Sequence, residues 1–236
     1  VPVHTTDSAN HGEIETVEAD TGKRNIEWLH EVGLTGDDVV LAHCVWTDES
    51  ERELLAETGT HVTHCPSSNM KLASGIAPVV DYLDRGINVA LGNDGPPCNN
   101  TLDPFTEIKQ ASVLQKVDQL DPTVTPMADI FEMATINGAR AAGFDRVGKL
   151  RPGWRADIIG LSTDTTRGTP LYEVLSYLVF AARGEDVNFT MVDGEVLMED
   201  GTVTVADADA IRERASEVAQ SLDLSEARAD AQEQKP

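Results

Sequence analysis

Positive charge is scarce in this chain. It has 18 Lys and Arg against 41 Asp and Glu, a formal charge of -23. Nucleic acids and anionic membranes are held by positive patches, so neither is expected as a partner. Lysine is scarcer than arginine, 6 against 12, and the acids run along the whole chain. An even acidic coat of this kind is expected of a protein kept soluble in a very salty cytoplasm, and it predicts unfolding as salt is withdrawn. Cysteines are only three, Cys44, Cys65 and Cys98. An odd number at these spacings does not suggest a disulfide framework or a zinc ribbon and fits a reducing, cytoplasmic setting. No apolar run reaches the ~18 residues needed to span a membrane. No signal peptide, Walker-type or dinucleotide-binding glycine loop, or nucleophile elbow is found. The chain starts at Val1, inside a stretch that reads as a strand, and is expected to be the later part of a longer polypeptide.

What is present is enough apolar residue, 40% of 236, for one large domain or one domain with a small appendage. Residues 1–6 are short, apolar and β-branched, a strand. Helical spacing follows over 13–32, with Thr21-Gly22 a candidate break and Gly33 a stop. Residues 38–44 read as a buried strand, 47–58 as a helix stopped by Gly59, and 60–65 as a third strand closed by Pro66. Residues 67–75 read as a loop and 78–84 as a short helix. Helices are expected over 105–117, 126–142 and 171–182. From Val147 the character changes to short strands, 156–161, 189–192 and 195–198, the last two joined by Asp193-Gly194, a two-residue hairpin signal.

The stretch Val89-Ala90-Leu91-Gly92-Asn93-Asp94-Gly95 organises the rest. It is a buried strand that runs into a Gly/Pro/Asn loop and delivers a carboxylate there. Asp-Gly alone is a common turn dipeptide. Here, however, four successive strands each carry a potential ligand or catalytic side chain: His4, His43, His64 and Asp94. Strand–helix alternation predicts right-handed βαβ units and a parallel sheet. Strand ends converging on one site are the pattern of a (β/α)8 barrel rim. Neutral histidine and ionised aspartate are ligands for zinc and iron, and hydrolysis at such a metal also needs groups that accept and donate protons. His4, His43, His64, Asp7 and Asp94 are the candidates. The cysteines have no triad logic and read as packing or pocket wall.

His43-Cys44, the string His64-Cys-Pro-Ser-Ser-Asn69-Met-Lys-Leu72, Gly75-Ile-Ala-Pro78, Leu91-Gly-Asn-Asp94-Gly and Gly148-Lys-Leu-Arg-Pro-Gly-Trp-Arg-Ala-Asp157 resemble the amidohydrolase superfamily. The similar branch is the S-adenosylhomocysteine/5′-methylthioadenosine deaminase and triazine chlorohydrolase group, over roughly residues 1–201. The resemblance implies a (β/α)8 barrel with a β-sandwich and one divalent metal, zinc or iron. It implies His4 and Asp94 as metal ligands, Asp94 also as proton acceptor, and His43 as the group orienting substrate or hydroxide. It further places His64, Ser68 and Asn69 in a motif lining the site, and Cys98 in a substrate-facing loop. Three departures stand out: no His-x-His motif is present, Asp7 stands where the family has Glu, and Trp46 where it often has a second His.

The organisation expected is then α/β: residues 1–146 as the second half of the barrel, 147–203 as part of the β-sandwich, and 204–236 as an acidic helical tail whose end is frayed. The function expected is metal-dependent hydrolytic deamination of an amino-substituted nitrogen heterocycle such as an adenosine derivative. Asp7, or a nearby acid such as Glu13, would protonate the ring. Alternatives are a triazine-type chlorohydrolase, a guanine-type deaminase, or a catalytically incomplete piece that lacks two metal ligands. The partners expected are a small heterocyclic substrate and either a second copy or a missing N-terminal half.

Overall fold

The computed structural model describes residues 2–222; Val1 and the stretch expected to fray, 226–236, lie outside the described residues. Four strands form one parallel sheet in chain order: β1 (Val3–Asp7), β2 (Val39–His43), β3 (His61–His64) and β4 (Val89–Leu91). Between β1 and β2 lie α1 (His11–Thr21) and α2 (Asn25–Glu31), and between β2 and β3 lies α3 (Glu49–Thr58). The break between α1 and α2 has a local cause. Gly22 takes φ 75 and returns its N–H to the Glu18 carbonyl. Gly59, at φ 73, ends α3 in the same way, and Asp48 with Glu51 caps its start.

Register decides which side chains meet. Thr5, Leu41, Val62 and Val89 align in one row, and Thr6, Ala42, Thr63 and Ala90 in the next. Successive residues face opposite sides of a sheet, so the first row turns to one face and the second to the other. Leu41, Val62 and Val89 are fully buried against Ile26, Leu55, Tyr82, Ile108 and Met133. Side chains of this size contribute about 2 kcal/mol each on full burial. The opposite face carries only a small cluster, Val40, Ala90 and Ala141.

The region expected as a loop, 67–75, is in part helical: α4 (Pro66–Lys71) is followed by α5 (Val79–Asp84). Pro66, expected to close the strand, instead opens the helix at its first position, where its missing N–H costs nothing. After β4 come a single turn, α6 (Pro96–Asn99), and the long α7 (Pro104–Gln119). The helix expected over 126–142 is two, α8 (Met127–Met133) and α9 (Ile136–Ala141). They part at Thr135, whose backbone leaves the helical region (φ -128, ψ -93) while its hydroxyl bonds back to the Phe131 carbonyl at 2.7 Å. The helix expected over 171–182 is shorter. The Glu173 carboxylate caps the N–H groups of Leu175 and Ser176 and so sets the start of α10 (Val174–Ser176), which runs on as a π-turn, Tyr177–Ala181.

A second sheet is antiparallel, in the order β5 (Ile158–Leu161), β6 (Val187–Val192), β7 (Glu195–Glu199) and β8 (Thr202–Val203). Asp193 and Gly194 both take positive φ, 48 and 86, the geometry of the primed turn expected from the dipeptide. Among the described residues this is a single sheet, not two packed face to face. α11 (Ala208–Ser221) is capped by Asp207 and buries none of its side chains. No helix of the described residues is long and apolar enough to cross a membrane.

Candidate active site

The parallel strands deliver Asp7, His43, His64 and, just past β4, Asp94 at their C-terminal ends, while His4 lies near the start of β1, and the chain leaves those ends under backbone strain. Ser8 follows β1 at φ 50, His43 and Cys44 end β2 at φ 73 and φ 44, and Asp94 follows β4 at φ 58. None of these is glycine, and the left-handed region costs a residue with a Cβ about 1–2 kcal/mol. Such strain concentrates at functional sites. At Gly92 no such choice exists: a Cβ there would stand 2.7 Å from Thr63 Cγ2 and 3.1 Å from Cys65 Sγ. Only glycine lets the loop carrying Asp94 leave the sheet this close to β3.

α4 joins the two sides of the candidate site. Its Ser68 hydroxyl donates to Asp94 Oδ2 at 2.6 Å, and its Asn69 Oδ1 lies 2.8 Å from His43 Nδ1. The other Asp94 oxygen accepts the Gly95 N–H at 2.6 Å. Burial pushes the Asp94 carboxyl up, but the Ser68 hydroxyl, the Gly95 N–H, the nearby His43 and the Cys98 thiol outweigh it and hold it below the usual carboxylate range. Asp94 is therefore a carboxylate at neutral pH.

Asp7 is the opposite case. It is 3% exposed, and burial raises its carboxyl from 3.8 to about 7. The Ser8 hydroxyl, donating to Asp7 Oδ1 at 2.6 Å, offsets part of that, and the charges of Glu13 and Glu51 add to it. Glu13 is fixed by the N–H groups of Ser8 and Ala9 and by the Asn25 amide. Asp7 stands level with His43 in the register.

His64 is completely buried, and neither ring nitrogen has a hydrogen-bond partner. Burial, with a contribution from His43, lowers it from 6.5 to about 3, so it is a neutral imidazole. His4 is exposed and pairs in register with Val40, three residues below the level of Asp7 and His43. At 3.3 Å per residue that is roughly 10 Å deeper along the strand. Alternation turns it to the face opposite Asp7. Cys98 is half-buried beside Asp94. The Cys65 thiol is pushed up to about 12, chiefly by burial, so it is no nucleophile. Trp46 donates its indole N–H to the Ser74 carbonyl at 2.7 Å, and its ring lies 3.8 Å from that of His11.

The donor chemistry, imidazole and carboxylate, suits zinc or iron. The number of donors does not suffice. Among the described residues no three His, Cys, Asp or Glu side chains converge as a metal site. The described residues do not by themselves complete a metal centre.

Besides Asp186, which binds Arg167, two buried acids escaped the sequence reading. Glu107 on α7 binds Ser67 and Asn99 next to the site. Glu51 on α3 binds Arg24 and the Ile26 N–H. Both stand near the start of a helix, where Glu is expected simply to complement the helix dipole, and no sequence signal separates them from surface acids.

Parallel βαβ units thus bring a carboxylate and a histidine to one end of a parallel α/β sheet. Residues 1–197 match the Amidohydrolase family, and the chain belongs to it. It is 44% identical to a 5-methylthioadenosine/S-adenosylhomocysteine deaminase from Haloarcula marismortui, over 93% of this chain and 51% of that protein. It is 42% identical to a 5′-deoxyadenosine deaminase from Methanopyrus kandleri, over 89% of this chain and 49% of that one. Among solved structures, an adenosine deaminase from Xanthomonas campestris with bound zinc superposes with a TM-score of 0.89 at 34% identity, covering 92% of this chain and 50% of that chain. The chain thus spans about half the length of the curated relatives it matches.

Proposed function

We propose that this chain is the proton-handling half of a metal-dependent hydrolase that removes the amino group of an adenosine-type purine. The observation that carries the reading is α4: adjacent residues of one helix, Ser68 and Asn69, hold Asp94 and His43. The names of the relatives supply the substrate class. In this reading the four parallel strands are half of an eight-stranded barrel, Asp94 would be one metal ligand, and residues outside this chain would supply others; His4, the second ligand the resemblance implies, sits roughly 10 Å below the level of Asp7 and would have to reach the ion from that depth. A bound zinc or iron would supply a water acidified to near-neutral pKa.

The residues of this chain account for the proton traffic. Asp94, ionised, accepts the proton released when water adds to the amino-bearing ring carbon, and passes it to the leaving amine. Asp7, which keeps its proton close to neutrality, donates to the ring nitrogen next to that carbon. His43, fixed by Asn69, orients the incoming groups. His64, Ser68, Asn69 and Cys98 form the wall behind them. As the carbon–nitrogen bond breaks, the proton left on the added oxygen is released and restores Asp7, leaving ammonia and the oxo-purine.

The test is Asp94→Asn in the assembled enzyme, with ammonia release from adenosine, 5′-deoxyadenosine and 5′-methylthioadenosine as the readout. Turnover should fall by about three orders of magnitude or more while the fold, followed by circular dichroism, is kept. A variant that still turns over at a comparable rate would refute the role of Asp94. Release of chloride from a chlorotriazine, with no ammonia from any of the purines, would favour the triazine alternative.

A further inference from the structure

Glu107 is 1% exposed and has no cationic partner among the described residues. A buried carboxylate is costly unless donors surround it. Here the donors are the Ser67 N–H at 3.1 Å, the Ser67 hydroxyl, and the Asn99 amide at 2.8 Å. Ser67 is the second residue of α4, where backbone N–H groups have no partner inside the helix. Asn99 passes the tie on: its amide also donates to the Asn93 carbonyl at 2.8 Å. Asn93 directly precedes Asp94, and Ser67 directly precedes Ser68. Both ends of the Ser68–Asp94 hydrogen bond are therefore moored, one residue away, to a single carboxylate that comes from a third element, α7.

We propose that Glu107 is the positioning residue of Asp94, setting the carboxylate at the strained φ of 58 that it needs to meet Ser68 and Gly95. The Coulomb effect of Glu107 on the metal or the substrate is secondary; the function is geometric. No contact of Glu107 with a reacting group is required. Because Asn69, next in α4, holds His43, the same mooring extends to the imidazole. This inference rests on the reading of Asp94 as the proton acceptor.

The substitution is Glu107→Gln, which keeps size and one carbonyl oxygen but presents an NH2 group toward donors. Two readouts separate this inference from the functional reading. The first is the amide spectrum of the full chain by 15N NMR, which needs neither metal nor substrate. Glu107→Gln should shift the Ser68 and Gly95 N–H resonances and the His43 ring nitrogens while leaving the sheet unchanged. Shifts confined to α4 and Asn99, with the Gly95 N–H and the His43 ring nitrogens unmoved, would overturn the positioning role whatever the activity.

The second is turnover of the assembled enzyme. Loss of a second-sphere partner of this kind costs about 10–100-fold, expected here in kcat with KM altered less. Ser68→Ala should produce a similar loss, and the double variant should lose no more than the worse single one, because both act through one contact. Additive losses, or an unchanged kcat per folded molecule with only a lowered Tm, would overturn the inference. If the unsubstituted enzyme releases no ammonia, the functional reading fails while the NMR result still decides the mooring.

Discussion

Replacing Asp7 by Asn should remove a pH dependence of stability. Folding buries the Asp7 carboxyl and raises it from 3.8 to about 7. The folded chain therefore holds a proton that the unfolded chain gives up. The stability linked to that proton is fully present below about pH 4 and is lost as pH rises through about 7. Each unit of displacement corresponds to about 1.4 kcal/mol, so the loss approaches roughly 4 kcal/mol at its upper bound. Asn has nearly the same shape, accepts the Ser8 hydroxyl, and cannot ionise. Urea unfolding of both proteins at about pH 4 and about pH 8 is the assay. The two should be close in stability at the lower pH, and Asp7→Asn the more stable by a few kcal/mol at the higher. Parallel curves for the two proteins would show that Asp7 is solvated as an anion, and the role given to it as a proton donor near neutrality would fall with it.

Gly92→Ala should destabilise the chain by about 1–3 kcal/mol, because a Cβ 2.7 Å from Thr63 Cγ2 and 3.1 Å from Cys65 Sγ forces those packed side chains aside; the Tm by calorimetry is the measurement. Glu51→Gln should cost about 3 kcal/mol, since the buried carboxylate joins Arg24 at 2.9 Å, the Ile26 N–H at 3.1 Å and the Asp48 N–H at 3.0 Å, and chemical unfolding at constant pH reads it.

Local chemistry was legible from the chain alone wherever a residue type has one conformational answer. Gly22 and Gly59 end helices because no other residue enters the left-handed region so cheaply, and Asp193-Gly194 turns the hairpin for the same reason. The hydrophobic rows Val39–Leu41 and Val89–Leu91 show parallel strands in their residue types. Resemblance in the strings around His43, His64 and Asp94 pointed to the family that the comparison then showed. The helix expected over 126–142 misread Thr135, where a hydroxyl bonding to its own helix ended it. The loop expected at 67–75 treated Pro66 as a stop, although proline stops a helix from within and starts one from its first turn.

Sequence by itself determined the acidic coat, the alternation of strand and helix, and which side chains stand near the strand ends. These depend on residue type and on neighbours a few positions away. Tertiary structure alone decided what each acid is for. Asp94 and Asp7 are the same side chain. Asp94 has Ser68 and Gly95 to stabilise its charge, whereas Asp7 lies in a dry place beside two other acids. His4 and Asp7 are three residues apart in one strand, yet the pleat sends them to opposite faces. Glu107 reads as a surface acid until α7 packs on α4 and brings Ser67 and Asn99 to it. The charge a carboxylate carries is a property of the donors and the solvent around it, and those come from segments distant in the chain.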